Sequence, residues 1–357
     1  MKRIEIVDYA RLLAAFFVLL YHYTFNGFNN GKIEVFELWN NDIVDVTKYG
    51  YLGVHFFFMI SGFVIGYSVI NTTPRKFILS RMARLYPAYW IAIVFTSVIS
   101  IFLANDAMSV SLSQVIVNLT MLQHFLGVAH IDGVYWTLSV EILFYGLIFV
   151  FIITGAKKNI DLFFIVWSLI LLLSYLFGFD NKLFLGGYFN FFCAGGLFSI
   201  LVKKFSFRFL FFLLIQLWLC VRFSLREAET ISEIKSIMLE PMVITSVIVL
   251  FFVFFILISI DKVAKISLPK SKYVGAITYP LYLIHAHVGY MFINFFGNWF
   301  NFGYSFTFSL LSVFFLSNVI YYISDVRFYS SFRLLFKSIL YSRKLEKLLI
   351  RFNLSHW

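Results

Sequence analysis

The sequence predicts an all-α integral membrane protein with about ten transmembrane helices and both termini in the cytoplasm. Of its 357 residues, 61% are apolar, 21% are aromatic and only 13% are charged, and the mean hydropathy is +0.87. A soluble domain carries about 25% charged and about 45–50% apolar residues, so these proportions exclude an ordinary globular or disordered protein. The net charge of +11 raises nucleic acid as a partner, but the long apolar runs indicate a membrane instead.

Ten apolar runs are long enough to cross about 30 Å of hydrocarbon, for which a helix needs about 20 residues. The first run follows Lys2 and Arg3 as in a signal peptide. However, Asp8 and Arg11 interrupt its start and no small-residue cleavage site follows, so we expect a retained first helix. The two cysteines lie in apolar runs and predict no disulfide framework. The predicted spans are 6–25, 51–70, 86–104, 136–155, 160–178, 183–201, 207–224, 242–260, 273–297 and 304–325.

An eleventh segment, 112–127, is apolar but carries several polar side chains, and its path decides the orientation of every later helix. With ten spans, the inner loops and tail hold 22 Lys and Arg residues against 6 on the outer side, as the positive-inside rule requires. If 112–127 crossed, the basic loops at 157–158, 203–208 and 262–272 would lie outside. We therefore expect this segment to be re-entrant or to lie on the outer face, packed against protein.

The chain is expected to comprise a transmembrane domain, 1–325, and a basic cytoplasmic tail, 326–357. The tail interleaves lysines and arginines with leucines and isoleucines, which is typical of an amphipathic helix on the anionic inner leaflet. A basic tail that only fixes the topology accounts for the same pattern. The sequence shows no internal repeat and no soluble second domain.

Ionisable side chains inside spans are costly and therefore mark candidate functional sites. In the first span, Asp8 and Arg11 share a helical face. His22 lies about 16 Å deeper than Arg11, at a rise of about 1.5 Å per residue. Counted from the inner edges, Glu141 in the fourth span lies at a similar depth to His22. A carboxylate beside an imidazole orients it and raises its basicity, so His22 and Glu141 are candidates for proton transfer.

Structural roles account for the same residues. Asp8 and Arg11 suit an ion pair near the inner interface. His22 suits a hydrogen bond within the helix bundle, and Glu141 suits one to a neighbouring hydroxyl. The inner loop before Pro87 is basic, and arginine binds phosphate through two hydrogen bonds, yet topology alone also places basic residues there. The basic residues of this loop are Arg75, Lys76, Arg81 and Arg84.

The ninth span contains two histidines, His285 and His287. Residues two apart point to different faces of a helix, whereas helical metal ligands are spaced three or four apart. No Cys/His cluster accompanies them in the sequence. We therefore expect no metal.

Five stretches of the sequence, taken in order, resemble the membrane-bound acyltransferase-3 family, whose members are integral membrane acyltransferases that modify cell-surface glycans. The stretches are Arg11 and His22 after Asp8, GYLGVHFFFMISGFVI at 50–65, Arg81 and Arg84 followed by LYPAYW, VYWTLSVEILFY at 134–145, and ITYPLYLIH at 277–285. The chain looks like the stand-alone form, without the extracytoplasmic domain of larger relatives. Its last span ends in SDVRF, where many members have a Glu-x-Pro-like sequence, so the resemblance assigns no role to Asp325.

This resemblance implies transfer of an acyl group, most often acetyl from acetyl-CoA, to a sugar hydroxyl. The expected acceptor is a cell-surface or lipid-linked polysaccharide, at the bacterial cytoplasmic membrane and among its lipids, with no nucleic acid partner. The oligomeric state is not indicated. The resemblance implies that His22 is the catalytic histidine with Arg11 and Glu141 as its motif partners, and that Arg81 and Arg84 belong to the CoA site. With the residues selected above, we expect a catalytic set of His22, Glu141, Arg11 and Asp8, a CoA site of Arg81, Arg84, Arg75 and Lys76, and substrate contacts from Ser61, Trp136, Tyr145 and His285.

In the mechanism that follows, His22 is oriented by Glu141 and takes the proton of the acceptor hydroxyl as that hydroxyl attacks the thioester. An acyl-histidine intermediate is equally compatible with the sequence. The rival interpretation is a polytopic transporter or flippase for a glycan precursor, since such carriers also have many spans with a few buried charges. A non-catalytic scaffold is a third interpretation. The sequence lacks the internal repeat and the paired, proline-broken helices typical of carriers.

Overall fold

The computed structural model describes residues 3–36 and 41–342, and within these ranges it contains helices joined by turns and no β-strand. The predicted all-α class is therefore confirmed. The principal helices are α1 (Glu5–Tyr21), α2 (Leu52–Ser68), α3 (Pro74–Leu103), α4 (Leu112–Asn118), α5 (Trp136–Ile153), α6 (Ile160–Leu176), α7 (Phe189–Leu201), α8 (Phe207–Lys235), α9 (Pro241–Ile258), α10 (Ser271–Ile284), α11 (His287–Gly297), α12 (Phe302–Tyr321) and α13 (Tyr329–Leu340).

Eight helical stretches in the described residues are long and apolar enough to cross a membrane, and each coincides with a predicted span. The other two predicted spans differ from simple helices. In 183–201, α7 has only 13 residues, which is about 20 Å of helix. In 273–297, the chain leaves the helical conformation at His285 and Ala286, between α10 and α11. The protein is thus a multi-pass helical membrane protein, and ten crossings with both termini inside stay a prediction.

Reporter fusions test this topology. A reporter joined after Asn159 or after Lys204 should give the cytoplasmic signal, because the basic loops at both places are expected on the inner side. Fusions in 105–111 should give the opposite signal and serve as the external control. An external signal at Asn159 or Lys204 would show that 112–127 crosses the membrane.

The helices form two compact units. Unit 1 consists of Met1–Val18, Lys48–Asn71 and Leu143–Val274, and unit 2 consists of Leu19–Thr47, Thr72–Ile142 and Gly275–Trp357. Three helices, α1, α5 and α10, contribute residues to both units.

The centre of unit 1 is the close pairing of α2 with α7. All 13 residues of α7 are buried, as expected for a helix that is apolar on every side. A Cβ at Gly62 of α2 would overlap the Phe192 carbonyl oxygen, and a Cβ at Gly195 of α7 would overlap the Met59 carbonyl oxygen. The two helices therefore meet backbone to backbone, which small residues permit in membrane proteins.

Unit 1 also contains a buried polar cluster that ties α2 to α8. His55 Nε2 lies 2.7 Å from a carboxylate oxygen of Glu227. The Tyr188 hydroxyl, just before α7, donates to the other oxygen of the same carboxylate. Buried charges are tolerated when they are paired in this way, so the cluster fixes three segments of unit 1 in place.

In unit 2, α3 is the long helix against which other segments pack. Thr73 caps its first turn by accepting from the Lys76 N–H, and Pro74 occupies the first helical position, where its missing N–H costs nothing. The N-terminal half of α3 packs on α13, with Phe336 and Leu340 buried in the contact. The helix α13 lies within the predicted tail, but residues 343–357 of that tail lie outside the described residues, so its role on the membrane surface stays a prediction.

The segment predicted not to cross forms the short helix α4 followed by turns, too few residues to span a bilayer. The Tyr86 hydroxyl donates to the Thr120 carbonyl at 3.0 Å, and Trp90 Nε1 donates to the Leu119 carbonyl at 2.8 Å. Trp90 precedes the end of α3 at Leu103 by about 20 Å of helix. The segment therefore runs back along α3, which favours the re-entrant alternative over one at the outer face.

Polar side chains of this segment find partners within unit 2. The fully buried Asn118 accepts the Ile131 N–H through its side-chain oxygen at 3.2 Å. The side-chain amide of Gln123 donates to the Tyr89 hydroxyl at 3.2 Å and lies 2.9 Å from His130 Nδ1. Such internal hydrogen bonds are what irregular backbone needs at membrane depth.

Candidate functional site

The candidate site lies in unit 2, beyond the end of α1. The chain continues from Tyr21 into a π-helical turn over His22–Asn26, a distortion that is frequent at functional sites. His22 Nδ1 lies 2.5 Å from the Tyr290 hydroxyl of α11 and 3.2 Å from the Asn26 amide nitrogen. Asn26 also donates to that hydroxyl at 3.3 Å. Because the protein holds Nδ1 in this network, Nε2 is the nitrogen suited to meet a substrate.

A second imidazole faces the first. The ring centroids of His22 and His285 are 5.0 Å apart, with the planes close to perpendicular. His285 is 1% exposed, and its Nδ1 lies 2.7 Å from the Tyr282 carbonyl oxygen, so Nδ1 carries the proton. Its Nε2 is buried and has no hydrogen-bond partner among the described residues. Since an unsatisfied buried acceptor costs about 1–3 kcal/mol, this atom indicates a place where a ligand donor binds.

The central charge of the cluster, Asp132, is a residue that the sequence analysis missed. It is completely buried, and one carboxylate oxygen accepts the Val134 N–H at 3.1 Å. The other accepts the His287 N–H at 2.9 Å, at the start of α11. Asp132 therefore accepts hydrogen bonds at the N-terminal ends of two helices, α11 and, through the turn over Gly133–Tyr135 that leads directly into it, α5. A carboxylate is favourable at a helix N-terminus. An Asp-Gly pair before an apolar run is the sequence signal that predicts such a cap.

Beside Asp132, a lysine binds the second histidine of the ninth predicted span. The Lys32 ammonium donates to His287 Nε2, and the Gly133 N–H donates to the same nitrogen at 3.3 Å. Because Nε2 accepts from both groups, it presents a lone pair and the His287 ring is neutral. The sequence analysis assigned no function to His287 and did not select Lys32.

The predicted acidic partner, Glu141, is half-buried on α5, one turn after Thr137. Thr137 Oγ1 lies 2.9 Å from the Tyr282 hydroxyl. Glu141 interacts electrostatically with that same phenol, which places it beside the residues around His285. A pairing of Glu141 with His22 stays a prediction. Trp136 is half-buried at the start of the same helix.

Four predicted site residues belong to unit 1. Asp8 is buried and binds Arg11 Nη1 at 3.5 Å, which agrees with the ion pair considered from the sequence. It also binds Arg3 at 2.7 Å, a partner that the sequence analysis did not select. Ser61 is half-buried on α2, and Tyr145 is buried on α5. The catalytic roles of Asp8 and Arg11 and the substrate contacts of Ser61 and Tyr145 stay predictions.

The predicted donor residues occupy the first turns of α3. Arg81 and Arg84 are three residues apart and therefore share a face of the helix. Arg81 is half-buried and Arg84 is exposed. Arg84 interacts electrostatically with Asp325, so this carboxylate lies near the arginine pair although the resemblance gave it no role.

Arg75 and Lys76 are arranged differently. Arg75 lies nine residues before Arg84, or two and a half turns, and therefore on the opposite side of α3. Its guanidinium lies 5.0 Å from the Tyr341 ring, which follows α13. Lys76 is exposed. Only part of the basic loop predicted from the sequence can therefore contact one ligand from one face of the helix.

The chemistry that this cluster supports is proton transfer to and from a hydroxyl, since the imidazoles of His22 and His285 and the phenol of Tyr290 lie side by side. No group of three or more His, Cys, Asp or Glu side chains in residues 3–36 and 41–342 is arranged to hold a metal ion.

No curated protein and no solved structure matches the chain. The family comparison does give a match, to a family described as an acyltransferase domain, and it covers residues 4–323. This match extends over nearly the whole sequence and includes all five stretches on which the resemblance was based. It confirms the resemblance, and the chain belongs to the membrane acyltransferase-3 family.

Proposed function

We propose that the protein transfers an acyl group, acetyl in the simplest case, from acyl-CoA to a hydroxyl of a cell-surface or lipid-linked polysaccharide at the bacterial cytoplasmic membrane. Membership of an acyltransferase family supports the reaction class. The observation that carries the proposal is the facing pair of half-buried His22 and buried His285, with Tyr290 on His22 Nδ1 and an unsatisfied nitrogen on His285.

In this reaction, His22 is the general base. A proton on Nδ1, donated to the Tyr290 hydroxyl, leaves the lone pair on Nε2. Nε2 takes the proton of the acceptor hydroxyl while its oxygen forms a bond to the thioester carbonyl carbon. The C–S bond then breaks, and the CoA thiolate leaves with the proton from the imidazolium. Glu141 is the proposed stabiliser of that imidazolium.

The donor is proposed to enter from the inner side, with its phosphates on the face of α3 that carries Arg81 and Arg84. Replacing both by alanine should raise the apparent KM for acetyl-CoA by about 10-fold or more, since a charged hydrogen bond contributes about 1.5–3 kcal/mol. The measurement is a donor titration on membranes with matched protein abundance. An unchanged KM would remove the pair from the donor site.

Arg75→Ala is the comparison within the same helix. Because Arg75 lies on the side of α3 that meets Tyr341, its replacement should change the donor KM less than the double replacement does. An equal increase would instead support all four basic residues as donor contacts, as expected from the sequence.

The proposed function is tested with membranes that contain the protein, radiolabelled acetyl-CoA and polysaccharide from a strain that lacks the gene. Label should move from the donor into the polysaccharide and remain after free CoA esters are removed. A flippase or a scaffold would leave the label in acetyl-CoA, since neither consumes the donor. Mass and NMR analysis of the product identifies the acyl group and the hydroxyl together.

A further inference from the structure

The loop after the first helix carries Lys32, whose side chain turns into the protein. Its carbonyl accepts from the Asn294 amide at 2.7 Å, near the end of α11, whereas its ammonium donates to His287 at the start of the same helix. These two positions on α11 are about 10 Å apart along the axis. A lysine at the edge of an apolar region usually extends its charge toward water, so this inward orientation needs a physical reason.

No acidic side chain within the described ranges forms an ion pair with Lys32. Asp132 attracts the ammonium at longer range, but its two oxygens accept the backbone N–H groups of Val134 and His287. The partner that does touch the ammonium is the neutral imidazole of His287. The positive charge is thus held in place by a group that does not neutralise it.

Partial burial makes this arrangement costly. Desolvation lowers the pKa of the Lys32 ammonium, while the negative charge of Asp132 raises it. A half-buried cation is stabilised when an anion contacts it and completes its hydrogen bonds. The ammonium has three N–H donors, so two remain after the bond to His287.

A second, independent observation in the same cluster points to a bound molecule. His285 Nε2 is buried without a hydrogen-bond partner in the described part of the chain and requires an N–H or O–H donor. One position therefore suits an anion and another suits a hydroxyl. The His287 and Tyr290 rings are 6.3 Å apart, and Tyr290 binds His22, so two side chains separate Lys32 from the proposed base.

We propose that Lys32, held by His287, binds an anionic group of the acceptor, the carboxylate of an acidic sugar or a phosphate, while a hydroxyl of the same acceptor meets His22. The acceptor is then an anionic glycan, and Lys32 selects it against neutral glycans. This inference rests on the proposed function and specifies its acceptor.

Binding is measured first, without a donor, so that it does not depend on catalysis. Purified protein in detergent is titrated with the polysaccharide isolated from a strain lacking the gene. Two further preparations are the same polysaccharide after chemical reduction of its carboxylates and after dephosphorylation. The preparation that loses affinity by 10-fold or more identifies the source of the anion. Lys32→Met should lower the affinity for the untreated polysaccharide to that of the neutralised one.

Matched variants separate recognition from folding. Lys32→Arg keeps the charge and should retain most of the selectivity, whereas Lys182→Met removes an exposed lysine of unit 1 and should change nothing. Added salt should weaken binding of the untreated polysaccharide by the wild type more than by Lys32→Met. If Lys32→Met alone fails to accumulate, the charge-retaining variant and the treated polysaccharides still decide the question.

Equal affinity of the wild type for all three preparations would overturn the proposal, and so would full selectivity in Lys32→Met. Acyl transfer is then assayed on the same preparations. Selective binding without any transfer of acetyl would contradict the proposed function and leave the anion site standing. Transfer without selectivity would contradict the anion site and leave the acyltransferase function standing.

Discussion

His22→Ala should abolish acyl transfer at normal membrane abundance. A positioned acid–base group contributes about 10²- to 10⁴-fold to a rate, and here the group is held on one side by Tyr290 and Asn26 and faces a second imidazole. Alanine removes the base and leaves the rest of the π-helical turn in place. The measurement is radiolabel transfer from acetyl-CoA, normalised to the protein detected in the same membranes.

Two other histidines make the result specific. His124 is exposed in the segment that follows α4, and His124→Ala should retain wild-type transfer, which controls for the loss of any histidine. His285→Ala removes the neighbouring imidazole. This variant should have lower activity than the wild type but should not be inactive, because His22 remains as the base. If His22→Ala still acylates the polysaccharide near the wild-type level while His285→Ala is inactive, the base is His285 and the first-helix motif is structural.

Gly195→Ala should be the most destabilising small substitution in unit 1. Its new Cβ would overlap the Met59 carbonyl oxygen, and the neighbouring atoms of α2 are also backbone atoms, which cannot rotate away. Overpacking of this kind costs about 1–3 kcal/mol or more when the backbone must shift. Thermal unfolding of the detergent-purified protein should therefore begin at a lower temperature, and Gly195→Leu should prevent accumulation.

Gly146→Ala provides the matched control for this substitution. Gly146 also lies within a helix, α5, but apart from its own stretch of helix no atom of the described residues lies within 4 Å of the place where its Cβ would be. Alanine is the better helix former by about 0.5–1 kcal/mol, so this variant should be at least as stable as the wild type. Equal stability of the two alanine variants would contradict the backbone-to-backbone contact between α2 and α7.

Hydropathy predicted most of the fold because a bilayer imposes length and composition on every segment that crosses it. It did not predict where α7 begins or that the helix breaks at His285, since apolar residues continue through both places. Positive-inside counting predicts that 112–127 does not cross, and the reporter fusions test this prediction. Such counting did not distinguish a surface segment from one that returns along α3, because that depends on hydrogen bonds from Tyr86 and Trp90 to backbone carbonyls.

The sequence predicted only part of the candidate site. His22 and His285 stand out because polar residues are rare in apolar runs. Lys32 and Asp132 lie in loops, where charged residues are common, so their positions in the sequence carried no signal of burial. Tyr290 is one of 21 tyrosines, and only the fold distinguishes it. The Asp-Gly pair is a local signal for a helix cap that the sequence analysis did not use, and no local pattern predicts the second bond of Asp132 to His287.

That second bond has a consequence for the order in which the protein assembles. Asp132 and His287 are 155 residues apart in the chain, so α5 and its cap are synthesised long before α11 emerges from the ribosome. Until then the carboxylate has only one of its two backbone partners, the Val134 N–H. Contacts between distant residues form late because they require the intervening chain to be in place. The polar cluster around Asp132 is therefore completed near the end of biogenesis. A chain that stops before α11 has His22, the proposed base, without the Tyr290 hydroxyl that contacts its Nδ1.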